Sequence, residues 1–157
     1  MPEKVYKDLY SRLCSFENLY LAYKKTRRNK RHKKSVQEFG FCLEKNLFQL
    51  TQELETLTYS PKPLRRFVIR DPKSRIIRAS VFRDRVVHHA LINILQPIFE
   101  PTFIHDSFAN QKGKETHKAL KRFDKFKRKV SENGRLVENT EYSNQTIGYI
   151  LKADIKH

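Results

Sequence analysis

The stretch that decides how this chain folds is RRFVIRDPKSRIIRASVFRDRVVHHALINILQPIF, from Arg65 to Phe99. It opens with two short β-branched runs, Phe67-Val68-Ile69 and Ile76-Ile77, with Asp71-Pro72-Lys73-Ser74 between them. β-Branched residues favour strands, and Asp followed by Pro suits the first two positions of a type I turn. The segment therefore predicts a β-hairpin. Arg70, Lys73, Arg75 and Arg78 crowd its tip. One sign of charge gathered there points to a polyanion or a triphosphate as partner. Behind the hairpin, Asp84 stands where an N-cap or first-turn acid belongs. Val87, Leu91, Ile94, Leu95 and Ile98 then recur at helical spacing, with Pro97 and Pro101 marking the exit. The expectation is a presented hairpin braced on a buried helix, with Asp84 and Arg85 capping and pairing inside the fold.

Upstream, Val5, Leu9 and Leu13, then Phe16, Leu19, Tyr20 and Tyr23, predict one or two helices with a break near Ser15. Lys24 to Lys34, KKTRRNKRHKK, carries eight Lys or Arg in eleven positions. It reads either as a solvated helix end or as a surface for phosphate backbone through Lys24, Lys25, Arg27, Arg28, Lys30, Arg31, Lys33 and Lys34. Val36 to Thr58 predicts one long helix, with Leu43, Leu47, Leu50, Leu54 and Leu57 as its core stripe. Tyr59-Ser60-Pro61-Lys62-Pro63 ends it as an extended linker.

Downstream, Phe99 to Lys114 reads as loop. Glu115 to Val130 reads as a helix, with Ala119, Phe123, Phe126 and Val130 opposite a lysine-rich side. Ser131 to Gln145 has the polarity of a surface insertion. Thr146 to His157 alternates as a strand that is apolar on both faces and central in a sheet. Asp154 on such a strand is costly to bury unless paired or metal-bound. Lys112 and Lys114 are either template contacts or solvated.

A chain of 157 residues with 38% hydrophobic and 32% charged side chains is large enough for a real core and polar enough for irregular segments. Its net charge of +16 makes nucleic acid the first partner to consider. An anionic membrane surface comes second, without an apolar run or lipid-anchor motif to support it. Cys14 and Cys42 sit among apolar helical residues and read as buried free thiols in a reducing compartment, the cytoplasm. Their spacing to histidine does not suit zinc. His88 and His89 read as packing residues, and His117 as architectural.

The order of motifs is distinctive: hairpin, Asp84-Arg85 before an apolar helix, Pro97-Ile98-Phe99-Glu100-Pro101, Ser107-Phe108-Ala109, Lys114-x-x-His117, and an apolar strand ending Ala153-Asp154-Ile155-Lys156. From about Tyr59 to His157 it resembles bacterial reverse transcriptases of group II introns, retrons and diversity-generating retroelements, with the short Asp71–Arg75 turn nearest the last. The resemblance implies an α+β fold: mostly helical fingers with a two-stranded β-hairpin, and the first strand of an incomplete palm sheet. It implies an N-terminal helical region over 1–58, fingers over 59–145 and a truncated palm strand over 146–157. Arg75 matches the arginine that grips the incoming dNTP, with Lys73 or Arg70 as a second cation. Asp154 matches the first catalytic aspartate, a ligand with the Ile155 carbonyl for Mg2+, two ions in a complete enzyme, or Mn2+. RNA template, nascent DNA and dNTP would be the partners. Gln111 stands where the family often has arginine. The paired aspartates of the second palm strand are absent from these residues, so the expectation is an inactive N-terminal part of an RNA-directed DNA polymerase, a nucleotidyltransferase. The alternative is a non-catalytic basic module that recognises RNA backbone shape. A host-defence protein on the same scaffold is a third reading.

Overall fold

The structure is a computed structural model that describes residues 5–109, 111, 113–131 and 151–153. It is mainly helical with one two-stranded antiparallel sheet, the α+β class expected. Contacts divide the chain into two compact units, Met1–Thr102 and Phe103–His157.

In the first unit, α1 (Leu9–Cys14) and α2 (Phe16–Arg27) are separated at Ser15, where the sequence admitted a break. Ser15 leaves helical geometry and its hydroxyl accepts from the Asn18 N–H at 3.3 Å, an N-cap for α2. Leu19, Ala22 and Tyr23 turn one face of α2 into the core.

The long helix expected over Val36–Thr58 is instead two, α3 (Lys34–Phe41) and α4 (Leu43–Glu55), broken at Cys42. Gly40 weakens helix propagation just before the break. It is also needed for close approach, because a Cβ there would meet the Tyr23 hydroxyl at 2.9 Å. The Phe39 carbonyl, left open by the break, accepts from the Asn46 side-chain amide at 2.9 Å. Cys14 is buried as expected, but Cys42 lies exposed at this corner.

Of the leucine stripe, Leu47, Leu50 and Leu54 are buried and Leu57 is 76% exposed. Leu57 adopts a left-handed φ of 58°, while the N–H groups of Leu57 and Thr58 bond back to the carbonyls of Leu54 and Glu53. This is a Schellman closure, which turns the chain away before Leu57 can reach the core.

Two residues after the end of the predicted linker the chain enters β1 (Arg65–Ile69), which pairs antiparallel with β2 (Arg75–Ala79) in the register Arg66↔Arg78, Phe67↔Ile77 and Ile69↔Arg75. That register leaves residues 70–74 at the tip, longer than the type I turn expected from Asp-Pro, and they form a bend containing a cis Asp71–Pro72 bond.

Then α5 (Phe82–Phe99) runs straight through Pro97 and passes into a 3-10 turn, Glu100–Thr102. Pro97 therefore lies inside the helix, in its last turn, where the missing N–H forfeits only one late hydrogen bond. Only the first half of α5 is a buried brace. Phe82, Val86, Val87 and Ala90 are in the core, whereas Leu91 and Ile92 are exposed. Helices α2 and α5 form the main packing pair. Tyr23, Phe39 and Phe82 close the seam of α2, α3 and α5 with ring centroids 5.3–6.2 Å apart.

In the second unit, α6 (Thr116–Val130) follows a loop, as expected. Its apolar side, Leu120, Phe123, Phe126 and Val130, is exposed. Arg122 anchors the preceding loop by donating from Nε and a terminal nitrogen to both Asp106 oxygens, at 2.6 and 3.2 Å. Of the expected final strand, Leu151–Ala153 are exposed and in no sheet. The rest of that strand, and the insertion from 132 onward, lie outside the described residues. No described helix is long and apolar enough to cross a membrane.

Candidate nucleic-acid interface

The hairpin is held at its base by three consecutive residues in the first turn of α5. Asp84 is 1% exposed. Its carboxylate accepts from the Tyr59 hydroxyl at 3.0 Å and from the Lys62 backbone N–H at 2.9 Å, both on the segment entering the hairpin. Arg83 donates to Asp84 at 3.4 Å, bonds Glu53 of α4, and lies over the Tyr59 ring at 5.0 Å. Arg85 donates from Nε to the Ser80 carbonyl at 2.9 Å, on the segment leaving the hairpin. Both legs are thus tied to one helix end. Burial first, then the hydrogen bond and charge of Asp84, push the Tyr59 phenol well above its ordinary 10.0 and keep it a donor. The structural role read for Asp84 and Arg85 is what they perform, with Asp84 in the first turn and Val81 as N-cap.

Above this base, both faces of the ribbon are largely exposed. Arg75 lies across from Ile69, on the face that carries Phe67 and Ile77. Arg66 and Arg78 lie directly opposite each other on the other face, beside the Val68–Ile76 pair. Like charges in that position repel. Among the described residues, Arg66, Arg70, Lys73, Arg75 and Arg78 have no carboxylate partner. The ribbon is a cationic element whose charge no described carboxylate neutralises.

The basic run spans the end of α2, a connecting turn and the start of α3. Its cations are not equivalent. Lys25 donates to the Asn93 side-chain oxygen at 2.5 Å, and Asn93 in turn donates to Asn18 at 2.9 Å. Buried Asn18 spends its own amide on the Leu13 and Ala90 carbonyls, at 3.2 and 3.1 Å. Arg27 is half-buried against Tyr23, 5.1 Å over its ring. Lys34 lies 3.9 Å from Glu38 on an open surface. Lys24, Arg28, Arg31 and Lys33 are exposed and have no carboxylate partner among the described residues. His89 of α5 faces this run. Burial first, then Lys30, Lys25 and His88, hold its imidazole below the ordinary 6.5.

In the second unit Lys114 donates to the His105 carbonyl at 2.8 Å and lies 5.9 Å over the Phe108 ring, so it helps to shape its own loop. Gln111 has a buried Nε2 without a hydrogen-bond partner among the described residues. His117 is exposed. Lys112, Asp154 and Ile155 lie outside the described residues, and with them the expected meeting of Arg75 and Asp154 in one cleft. Among the described residues no three His, Cys, Asp or Glu side chains are grouped to hold a metal.

Pattern reasoning missed the Tyr59–Asp84–Lys62 tie and the Asn18–Asn93–Lys25 chain. The second carried a signal: an asparagine inside an apolar helical repeat must find partners if buried. The first carried none, because a backbone N–H 22 residues away leaves no mark in side-chain spacing.

No family model matches the chain. Over 126 residues, 76% of its length, it is 31% identical to the group II intron-encoded protein LtrA of Lactococcus lactis subsp. cremoris, and equally to that of strain MG1363. The chain is similar to one part of a group II intron-encoded protein. The resemblance to bacterial reverse transcriptases of the group II intron type is borne out by LtrA. The chain spans about a fifth, 21%, of the length of these curated relatives.

Proposed function

We propose that this chain supplies the template-binding and nucleotide-binding fingers of an RNA-directed DNA polymerase. The kinship with LtrA carries the reading. The exposed, unneutralised arginines of a hairpin tied to a buried helix end support it. In this reading Arg75 grips the triphosphate of an incoming dNTP, since a planar guanidinium can bind phosphate oxygens in a bidentate fork. Lys73 or Arg70 adds a second cation at the tip. The Asp84 tie holds the ribbon so that little order is lost on binding. Exposed cations of the basic run hold RNA backbone without choice of sequence. Asp154 and Ile155 would bind Mg2+ or Mn2+ in the complete enzyme, and the 157-residue chain alone does not polymerise.

RNA binding by the purified chain, measured by fluorescence anisotropy over a range of salt, tests the polynucleotide part. The expected result is a steep loss of affinity with salt, weakened further by Arg28→Ala with Arg31→Ala. Salt-independent binding, or none at low salt, overturns it. Incorporation of a deoxynucleotide on a primed RNA by this chain would contradict its inactivity. The second reading, a basic RNA-binding module without chemistry, is favoured by the charge of +16. It predicts the same RNA binding but no protection of hairpin amides by dNTP; protection lost in Arg75→Ala favours the polymerase.

A further inference from the structure

The turn after α2 gathers what the sequence spreads out. Asn29 takes a left-handed φ of 59°, and successive backbone bonds, Lys30 N–H to Arg27 carbonyl and Lys33 N–H to Lys30 carbonyl, both 3.0 Å, fold the run back on itself. Lys24, Arg28, Asn29, Arg31 and His32 thereby line one open cavity of about 650 Å3. That volume suits a group of nucleotide size and exceeds a single phosphate. None of the lining side chains is acidic or apolar. Phosphate oxygens would meet donors on several sides. Lys25 and Arg27, at the end of α2, are engaged by Asn93 and Tyr23 and do not line the cavity. Lys24 lies 4.4 Å over the Tyr20 ring, which positions its stem and leaves the ammonium donors available.

We propose that this cavity is a polyphosphate site, taking the 5′-terminal triphosphate of an RNA strand or free tripolyphosphate. The proposal rests on the nucleic-acid reading above and narrows it. An internal phosphodiester brings a single negative charge, spaced along the strand from the next. A terminal triphosphate packs several into one small volume, matching three permanent cations and an imidazole around one cavity.

The test uses the full chain and one short single-stranded RNA, prepared with a 5′-hydroxyl and with a 5′-triphosphate. The triphosphate form is expected to bind about tenfold tighter, from charge-assisted hydrogen bonds that the hydroxyl form lacks. Lys24→Ala with Arg31→Ala should abolish that ratio. Lys33→Ala, which removes a cation outside the cavity, should weaken both RNAs alike and keep the ratio, as should Arg75→Ala on the hairpin. Inorganic tripolyphosphate should displace the triphosphate RNA better than orthophosphate at equal ionic strength. If displacement succeeds but the two RNAs bind equally, the free anion is the ligand and the RNA end is not. Equal binding of both RNAs without selective displacement overturns the site and leaves the RNA-binding reading standing. Failure of both RNAs to bind at low salt overturns that reading as well.

Discussion

Asp84 shows how much one side chain can organise. It is a carboxylate removed from water and satisfied by Tyr59, Lys62 and Arg83. Removing it leaves the half-buried Tyr59 hydroxyl and the Lys62 backbone N–H without their acceptor, while Arg83 keeps Glu53. Asp84→Ala is expected to destabilise the fold by about 3 kcal/mol in urea denaturation, and a loss below about 1 kcal/mol would show that water replaces the tie. His89 is the second residue with a measurable consequence. Burial, Lys30, Lys25 and His88 lower its basicity from 6.5. The unfolded chain then takes up this proton first as pH falls, so stability is full above 6.5 and is lost as pH drops through the lower folded value. Phosphate seated on the lysines weakens the repulsive part of that shift. NMR titration should therefore find the His89 value raised toward ordinary when RNA is bound, and an unchanged value would show that Lys30 does not carry phosphate.

Among the elements, α4 and the hairpin behave differently from what their sequence patterns imply. Five leucines repeat alike along the α4 segment, but only Leu47, Leu50 and Leu54 are buried. Leu50→Ala is expected to cost about 3 kcal/mol and Leu57→Ala less than about 0.5 kcal/mol. Equal losses in thermal unfolding would contradict the Schellman closure at Leu57. In the hairpin, Arg66 and Arg78 face each other across the strands. Arg78→Thr removes that repulsion and is expected to leave stability unchanged or raise it by about 0.5 kcal/mol. The same change should reduce the slope of log affinity against log salt for RNA by about one. A stable variant with an unaltered slope would place that face away from the polynucleotide.

For the molecule as a whole, the buried core found among the described residues belongs to the first unit. Among the described residues of the second, no side chain is buried and α6 leaves Leu120, Phe123 and Phe126 exposed. Opening free energy follows buried contact. Hydrogen exchange should find the amides of α6 unprotected long before those around Ala22, Val86 and Ala90. Protection of α6 matching that of α2 would mean that its apolar side is covered in solution.

Sequence alone determined the hairpin, the helices on either side of it, the cationic character and the similarity to part of an intron-encoded protein. Each follows from local signals: β-branched runs, 3.6-residue periodicity, charge counts and the order of motifs. Only tertiary structure decided that Cys42 breaks a helix, that Leu57 turns outward, and that α5 is buried over half its length. It also decided which cations of Lys24–Lys34 the fold consumes and which converge on a cavity. Those outcomes depend on partners distant in the chain, such as Asn93 for Lys25 and Tyr23 for Gly40. A periodic pattern records which face is apolar, but not how far a neighbouring element reaches to cover it.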